Sequence, residues 1–195
     1  MGEWGSIGRL DDGVVRIIYT GTLAPYQDVG LLLEAFAIAF RQRPDLRLSL
    51  CASSGFEPWE SRARALRVRG AIDVLPDTFA ELPRRLAAAR IAVMPRTCCP
   101  GIPQKLLNYM AAGKAIVASA GSAKILEDGV TGLIIPNGKV QDFADALLRL
   151  AADAPLAAAL GKRAREQVVE RCSWDRAAEQ LECIYGQLTP VHAHP

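Results

Sequence analysis

"MPRTCCPGIPQKLLNYMAAGKAIVAS", residues 94–119, decides the fold. It reads as the end of an apolar strand, a Cys/Pro/Gly loop, a short helix opened by Pro103, a turn at Gly113 and a second apolar strand. Two apolar strands joined through a helix form a βαβ unit with parallel strands. The alternation continues on both sides. "VVRIIY" (14–19), "LRLSLCA" (46–52), "AIDVL" (71–75), "IAVMP" (91–95), "AIVAS" (115–119) and "GLIIP" (132–136) are apolar runs of strand length. Between them lie segments of helical spacing: "VGLLLEAFAIAFRQ" after Asp28, "PWESRARALRVR", "AELPRRLAAA", "PQKLLNYMAA" and a short "SAKILED". Near-continuous apolar strands separated by amphipathic helices require a parallel sheet covered on both faces. The expected architecture is α/β: a Rossmann-like, doubly wound parallel sheet of about six strands. After Pro136 helix follows helix, the last opened by Ser173 as N-cap, which predicts a C-terminal helical cap.

A chain of 195 residues, half of them apolar, buries one substantial core. The expected division is a flexible segment 1–13, one domain over 14–188 and a disordered tail 189–195. Lys plus Arg number 23 against 21 Asp plus Glu, a formal charge of +2 that gives no general attraction to nucleic acid. Cys51, Cys98, Cys99, Cys172 and Cys183 are odd in number, contain no CxxC pair and have no histidine near them, which argues against a disulfide framework and a structural zinc site. A reducing cytoplasm is the simplest compartment. No secretory signal pattern opens the sequence, and no window approaches the roughly 20 apolar residues of a membrane span. The two histidines, His192 and His194, fall in the tail, which leaves the core without a histidine base.

Ligands of open α/β sheets bind at the carboxyl ends of the strands, so the loops there carry the candidates. In "YTGTLAPYQD", Gly21 allows close backbone approach and Thr22 offers a hydroxyl, although an ordinary βα turn fits the same residues. Ser53, Ser54 and Gly55 read first as a plain Ser/Gly connector, with a nucleoside site as the alternative. Arg96 and Lys105 flank the loop shaped by Gly101 and Pro103, and the free N–H groups opening the following helix face an anion together with its positive end. Solvated surface charges are the competing reading of both. Cys98 and Cys99 lack further ligands or a base, and no metal site is expected. Glu127 either orients a neighbouring loop or contacts a sugar.

Five segments in order resemble one family. "YTGTLAPYQDVGLLLEAF", "DVLPDTFAELPRRLAAARIAVMPR", "PQKLLNYMAAGKAIVAS", "ILEDGVTGLIIP" and "CSWDRAAEQLECIY" are similar to stretches of the donor-binding C-terminal domain of GT-B-fold retaining glycosyltransferases, the glycosyl transferases group 1, or family four. The resemblance covers nearly all of residues 14–188. It implies one half of a GT-B fold that binds a UDP- or GDP-linked sugar as substrate and uses no cofactor. A missing N-terminal domain would hold the acceptor, so the chain alone would transfer no sugar.

It further implies hexosyl transfer with retention, in bacterial envelope or exopolysaccharide assembly. The full-length protein would work in the cytoplasm, including the inner face of the membrane. Gly21, Thr22, Arg96, Gly101, Ile102, Lys105 and Asn108 would then bind the donor. The family's two glutamates, which contact the donor sugar and the ribose, fall at Pro100 and Asn108, and its Arg and Lys pair near Thr22 and Gln27. Those four departures leave the catalytic residues unassigned. They also keep open a second reading, a non-catalytic binding or scaffolding module.

Overall fold

A computed structural model describes residues 13–188. Of the expected terminal segments, 1–12 and 189–195 lie outside the described residues. Six parallel strands form one sheet: β1 (Val15–Thr20), β2 (Leu46–Ala52), β3 (Ile72–Pro76), β4 (Ile91–Met94), β5 (Ala115–Ser119) and β6 (Leu133–Ile135), in the order β3-β2-β1-β4-β5-β6. The expected doubly wound sheet is therefore present, and the chain reverses direction across the sheet between β1 and β4.

Helices α1 (Val29–Gln42), α2 (Glu57–Ala65) and α6 (Val140–Ala152) cover one face, where Ile17, Leu48 and Val117 meet Phe36, Ala63 and Phe143. Helices α3 (Leu82–Ala88), α4 (Gln104–Ala111) and α7 (Ala154–Arg171) cover the other, where Ile18, Met94 and Ile116 meet Leu86, Met110 and Val168. Burial on both faces explains the absence of polar alternation in β1, β4 and β5. Edge strand β3 is open to water, which accounts for Asp73 and an exposed Val74.

Two expectations are corrected. The short helix is α5 (Ala120–Ala123), not "SAKILED", because Lys124 turns to φ 46°, ψ −89° and ends it. The helical cap consists of α6 and α7 only. The last helix, α8 (Trp174–Leu188), is opened by Ser173, whose Oγ accepts from Arg176 N–H at 3.3 Å. Residues 174–187 are all exposed, Trp174 at 91%. The sheet's apolar rows are already covered, so α8 finds no further surface there.

Where α7 crosses the start of β5, backbones touch. A Cβ on Gly161 would lie 2.1 Å from the carbonyl oxygen of Gly113, so only glycine fits.

Candidate functional site

Strands β1 and β4 pair over Ile17–Ile91 and Ile18–Ala92 only, yet run on to Thr20 and Met94. Their carboxyl ends therefore splay at the point where strand order reverses, and a crevice opens between the loops that follow. Tyr109 of α4 fixes one wall: its Oη accepts from Thr20 N–H at 2.8 Å and lies 3.0 Å from Thr20 Oγ1. The ring is fully buried, which raises the phenol's pKa and keeps it neutral.

From α4 the Lys105 side chain reaches into this crevice. Its Nζ donates to Tyr19 Oη and to Gln27 Oε1, each at 3.1 Å, and lies 4.3 Å from the centroid of the Tyr19 ring. Tyr19 in turn donates to the Thr22 carbonyl at 2.7 Å. Burial, helped by the positive charge of Arg96, pushes the ammonium down to about 8, with Asp77 and Cys99 opposing. Burial also raises the Tyr19 pKa. Gly21, at φ 110°, lies over this amine: a Cβ there would stand 3.0 Å from Lys105 Nζ. The position thus favours glycine for its backbone, and a Cβ would crowd the cation beneath it. Arg96 lies with Cζ 5.0 Å from the centroid of the Tyr26 ring and donates through Nε to the Cys98 carbonyl. Thr22 and Tyr26 hydroxyls are 3.4 Å apart, and this contact chiefly lowers the Tyr26 pKa.

A chain of hydrogen bonds ties three loops and the short helix α5 together beside the crevice. Asp28, left-handed at φ 55°, accepts from Thr97 N–H at 2.7 Å and from Thr97 Oγ1 at 2.8 Å through one carboxylate oxygen. Thr97 carbonyl accepts from Asn137 Nδ2 at 2.9 Å, and Asn137 Oδ1 accepts from Gly121 N–H at 2.9 Å. Asp28 occupies the residue before α1, but its carboxylate serves the loop after β4 rather than the helix.

Of the candidate residues, the structure brings Gly21, Thr22, Arg96 and Lys105 to the crevice. Gly101 and Ile102 lie exposed on the loop before α4, Ile102 at 50%. Asn108 is half-buried, one turn beyond Lys105 on the same helix face. Glu127 sits outside any helix and turns to α7, 3.4 Å from Gln167 Nε2 and 3.8 Å from Arg171 Nη1. Ser54 joins two loops by accepting from Leu23 N–H at 2.8 Å. Sequence reasoning missed Tyr19 and Tyr109, which read as core, and Asp28, which reads as a helix cap. Among the described residues no group of three or more His, Cys, Asp and Glu converges to hold a metal. A hollow of about 580 Å³ between Arg16, Arg43 and Arg90 lies at the amino end of the sheet.

The crevice and sheet order define a Rossmann-like half of a GT-B fold. TarM of Staphylococcus aureus, crystallised as a mutant with UDP among its ligands, superposes with a TM-score of 0.81 at 17% identity, over 93% of this chain and 37% of TarM. HepE of Anabaena, in complex with UDP, gives 0.79 at 18% identity, over 90% of this chain and 49% of HepE. The family model for glycosyl transferases group 1 matches residues 14–153, and the chain belongs to that family. It is 29% identical to a D-inositol 3-phosphate glycosyltransferase of Kribbella flavida over 96% of its own length and 47% of that protein's. A second such enzyme, of Corynebacterium aurimucosum, is 31% identical over 90% and 44%. The chain thus spans about half the length of the curated relatives it matches. No described helix is long and apolar enough to cross a membrane.

Proposed function

We propose that this chain is the donor-binding half of a glycosyltransferase, holding a UDP- or GDP-linked sugar in the β1/β4 crevice for transfer to an acceptor bound by a separate domain. The observation that carries this reading is the ammonium of Lys105, held by Tyr19 and Gln27 under the bare backbone of Gly21. A cation kept at a cost in desolvation, at the point where a sheet of this order binds ligands, is suited to a diphosphate. Arg96 and the N-terminus of α4 add positive potential beside it. Their chemical work is electrostatic: they would hold the donor in position and stabilise the diphosphate as it departs. Family membership and the UDP complexes of TarM and HepE support the same reading. Hexosyl transfer with retention, a cytoplasmic or membrane-face setting and a role in polysaccharide assembly belong to this proposal. So does the inactivity of the chain without an acceptor domain.

Pro100 and Asn108, standing where the family has glutamates, favour a second reading in which the crevice binds a nucleotide without turnover. Thermal shifts with UDP, GDP, ADP and their sugars test both. A ligand at 100 times its Kd stabilises by about 2.7 kcal/mol. Absence of any shift at millimolar nucleotide would exclude a nucleotide crevice. A shift, followed by no transfer once an acceptor domain is supplied, would leave the non-catalytic reading.

A further inference from the structure

The loop between β4 and α4 carries two adjacent thiols, Cys98 and Cys99, to which the donor reading gives no role. Its backbone is held firmly. Thr97 is tied to Asp28 and Asn137, and a Cβ on Gly121 would lie 1.7 Å from the Thr97 carbonyl oxygen and 3.1 Å from the Cys98 nitrogen, so this turn packs directly on α5. The Cys98 carbonyl accepts from Arg96 Nε. Cys98 is exposed, whereas Cys99 is half-buried and its Sγ donates to the Gly101 carbonyl at 3.2 Å. The Lys105 ammonium feels the charge of both Arg96 and Cys99, which places this end of the loop beside the two cations of the crevice. The other exposed thiols among the described residues have different surroundings. Cys172 stands among charges of both signs, with Lys124, Glu127 and Arg171, and Cys183 lies on α8 beside Glu182 and one turn after Glu179.

We propose that Cys98 is a site of reversible S-thiolation by small anionic disulfides, and that the adduct and the donor diphosphate exclude one another. The exclusion rests on the donor reading of the crevice; the modification does not. In the exchange the Cys98 thiolate attacks one sulfur of a disulfide R–S–S–R, the S–S bond of the reagent breaks and a Cys98–S–S–R bond forms. The leaving R–S⁻ takes up the proton that the thiol gave. Cys98 is oxidised and one half of the reagent is reduced, so the disulfide is the only oxidant the step needs. Arg96 and Lys105 supply the selectivity: they draw a reagent bearing carboxylates to this thiol and pair with those carboxylates once it is attached. A diphosphate calls on the same two cations. Cys99 is poorly placed to displace the adduct by closing a ring with Cys98. The peptide between them is trans, which sets their Cα atoms about 3.8 Å apart, short of the roughly 4.4–6.8 Å that disulfides span. The mixed disulfide therefore persists until an outside thiol removes it.

Glutathione disulfide, which is anionic at neutral pH, and cystamine, which is cationic, are compared as reagents by intact mass and peptide mapping, with and without UDP. Glutathione disulfide is expected to thiolate Cys98 about tenfold faster than Cys172 or Cys183, and cystamine to show no such preference. Arg96→Gln should slow glutathione disulfide at Cys98 and leave cystamine unaffected. Saturating UDP should protect Cys98 alone. The thiolated protein should lose UDP affinity and regain it with dithiothreitol, while Cys98→Ser should keep the parent's affinity and take up no adduct on this loop. Four results would each overturn the proposal: equal labelling of the three exposed thiols, faster reaction of Cys98 with cystamine, loss of the two thiol hydrogens as an internal Cys98–Cys99 disulfide, or unchanged UDP affinity in the thiolated protein. If the unmodified protein binds no UDP in calorimetry, the donor reading fails and the exclusion falls with it. The comparison of the two reagents then decides the modification site independently.

Discussion

If Lys105 anchors the donor diphosphate, affinity for UDP must fall as pH rises through the pKa of its buried ammonium, about 8. At pH 7 about nine-tenths of the amine is protonated and at pH 9 about one-tenth, so Kd should rise roughly tenfold between them. The ligand's phosphate is essentially fully ionised over this range, since its second ionisation lies near 6, and Arg96 stays charged throughout. The stability of the unliganded protein should move the opposite way. The Lys105 pKa is depressed from 10.5 to about 8 on folding, so between those values the unfolded chain binds more protons and stability rises with pH. The gain is at most about 3 kcal/mol for a shift of this size. Isothermal titration with UDP and denaturant melts at pH 7, 8, 9 and 10 read both slopes. Lys105→Met should bind UDP about ten- to a hundredfold more weakly at pH 7, show no fall in affinity with pH and lack the stability gain that Lys105 contributes. Equal Kd at pH 7 and 9, or the same fall in Lys105→Met, would refute the phosphate role of this amine.

Asp28→Ala should cost about 1–3 kcal/mol in denaturant melts by leaving Thr97 unpaired. Asp28→Asn, whose amide oxygen can accept both bonds and whose backbone tolerates a left-handed turn, should recover most of it. Gly161→Ala sets two effects against each other. Helix propensity favours alanine by about 1 kcal/mol, but the new Cβ would lie 2.1 Å from the Gly113 carbonyl oxygen. We expect net destabilisation, and a raised Tm would show that α7 can slide. Gly21→Ala should strain a backbone at φ 110° by about 1–3 kcal/mol. It should also weaken UDP by displacing Lys105, which a titration compared with the parent would show.

Strands were legible as short apolar runs: "AIVAS", buried on both faces, and "LRLSLCA", which alternates over its first five residues, match β5 and β2 residue for residue. α1 was equally clear, bounded by Asp28 and Arg43. The end of α5 was not, because the turn at Lys124 is a backbone conformation with no glycine or proline to announce it. The exposure of α8 was also hidden, since a stripe of Trp174, Leu181, Ile184 and Tyr185 has the spacing of a core-facing helix whether or not anything covers it. At the site, Gly21, Arg96 and Lys105 stood out as residue types on punctuated loops. Tyr19 and Tyr109 did not, because a phenol that orients a lysine from inside a strand or helix looks like any buried aromatic. Gln27 seemed only a lost cation. Its contact with Lys105 spans 78 positions and becomes visible only in three dimensions.

That contact has a bearing on how this sequence could have diverged. The two walls of the crevice are close enough that a side chain from the β1 loop and one from α4 reach the same point, 3.1 Å apart. A lysine on either wall can deliver the charge, so positions 27 and 105 are not independent characters. Exchanging them one at a time passes either through two ammoniums in contact or through none. With a polyanion bound, the doubly charged intermediate is the tolerable one, because the ligand itself relieves the repulsion. The direction in which a cation can migrate across the crevice is thus set by the ligand, and an inventory of basic residues aligned column by column would mistake such a migration for a loss.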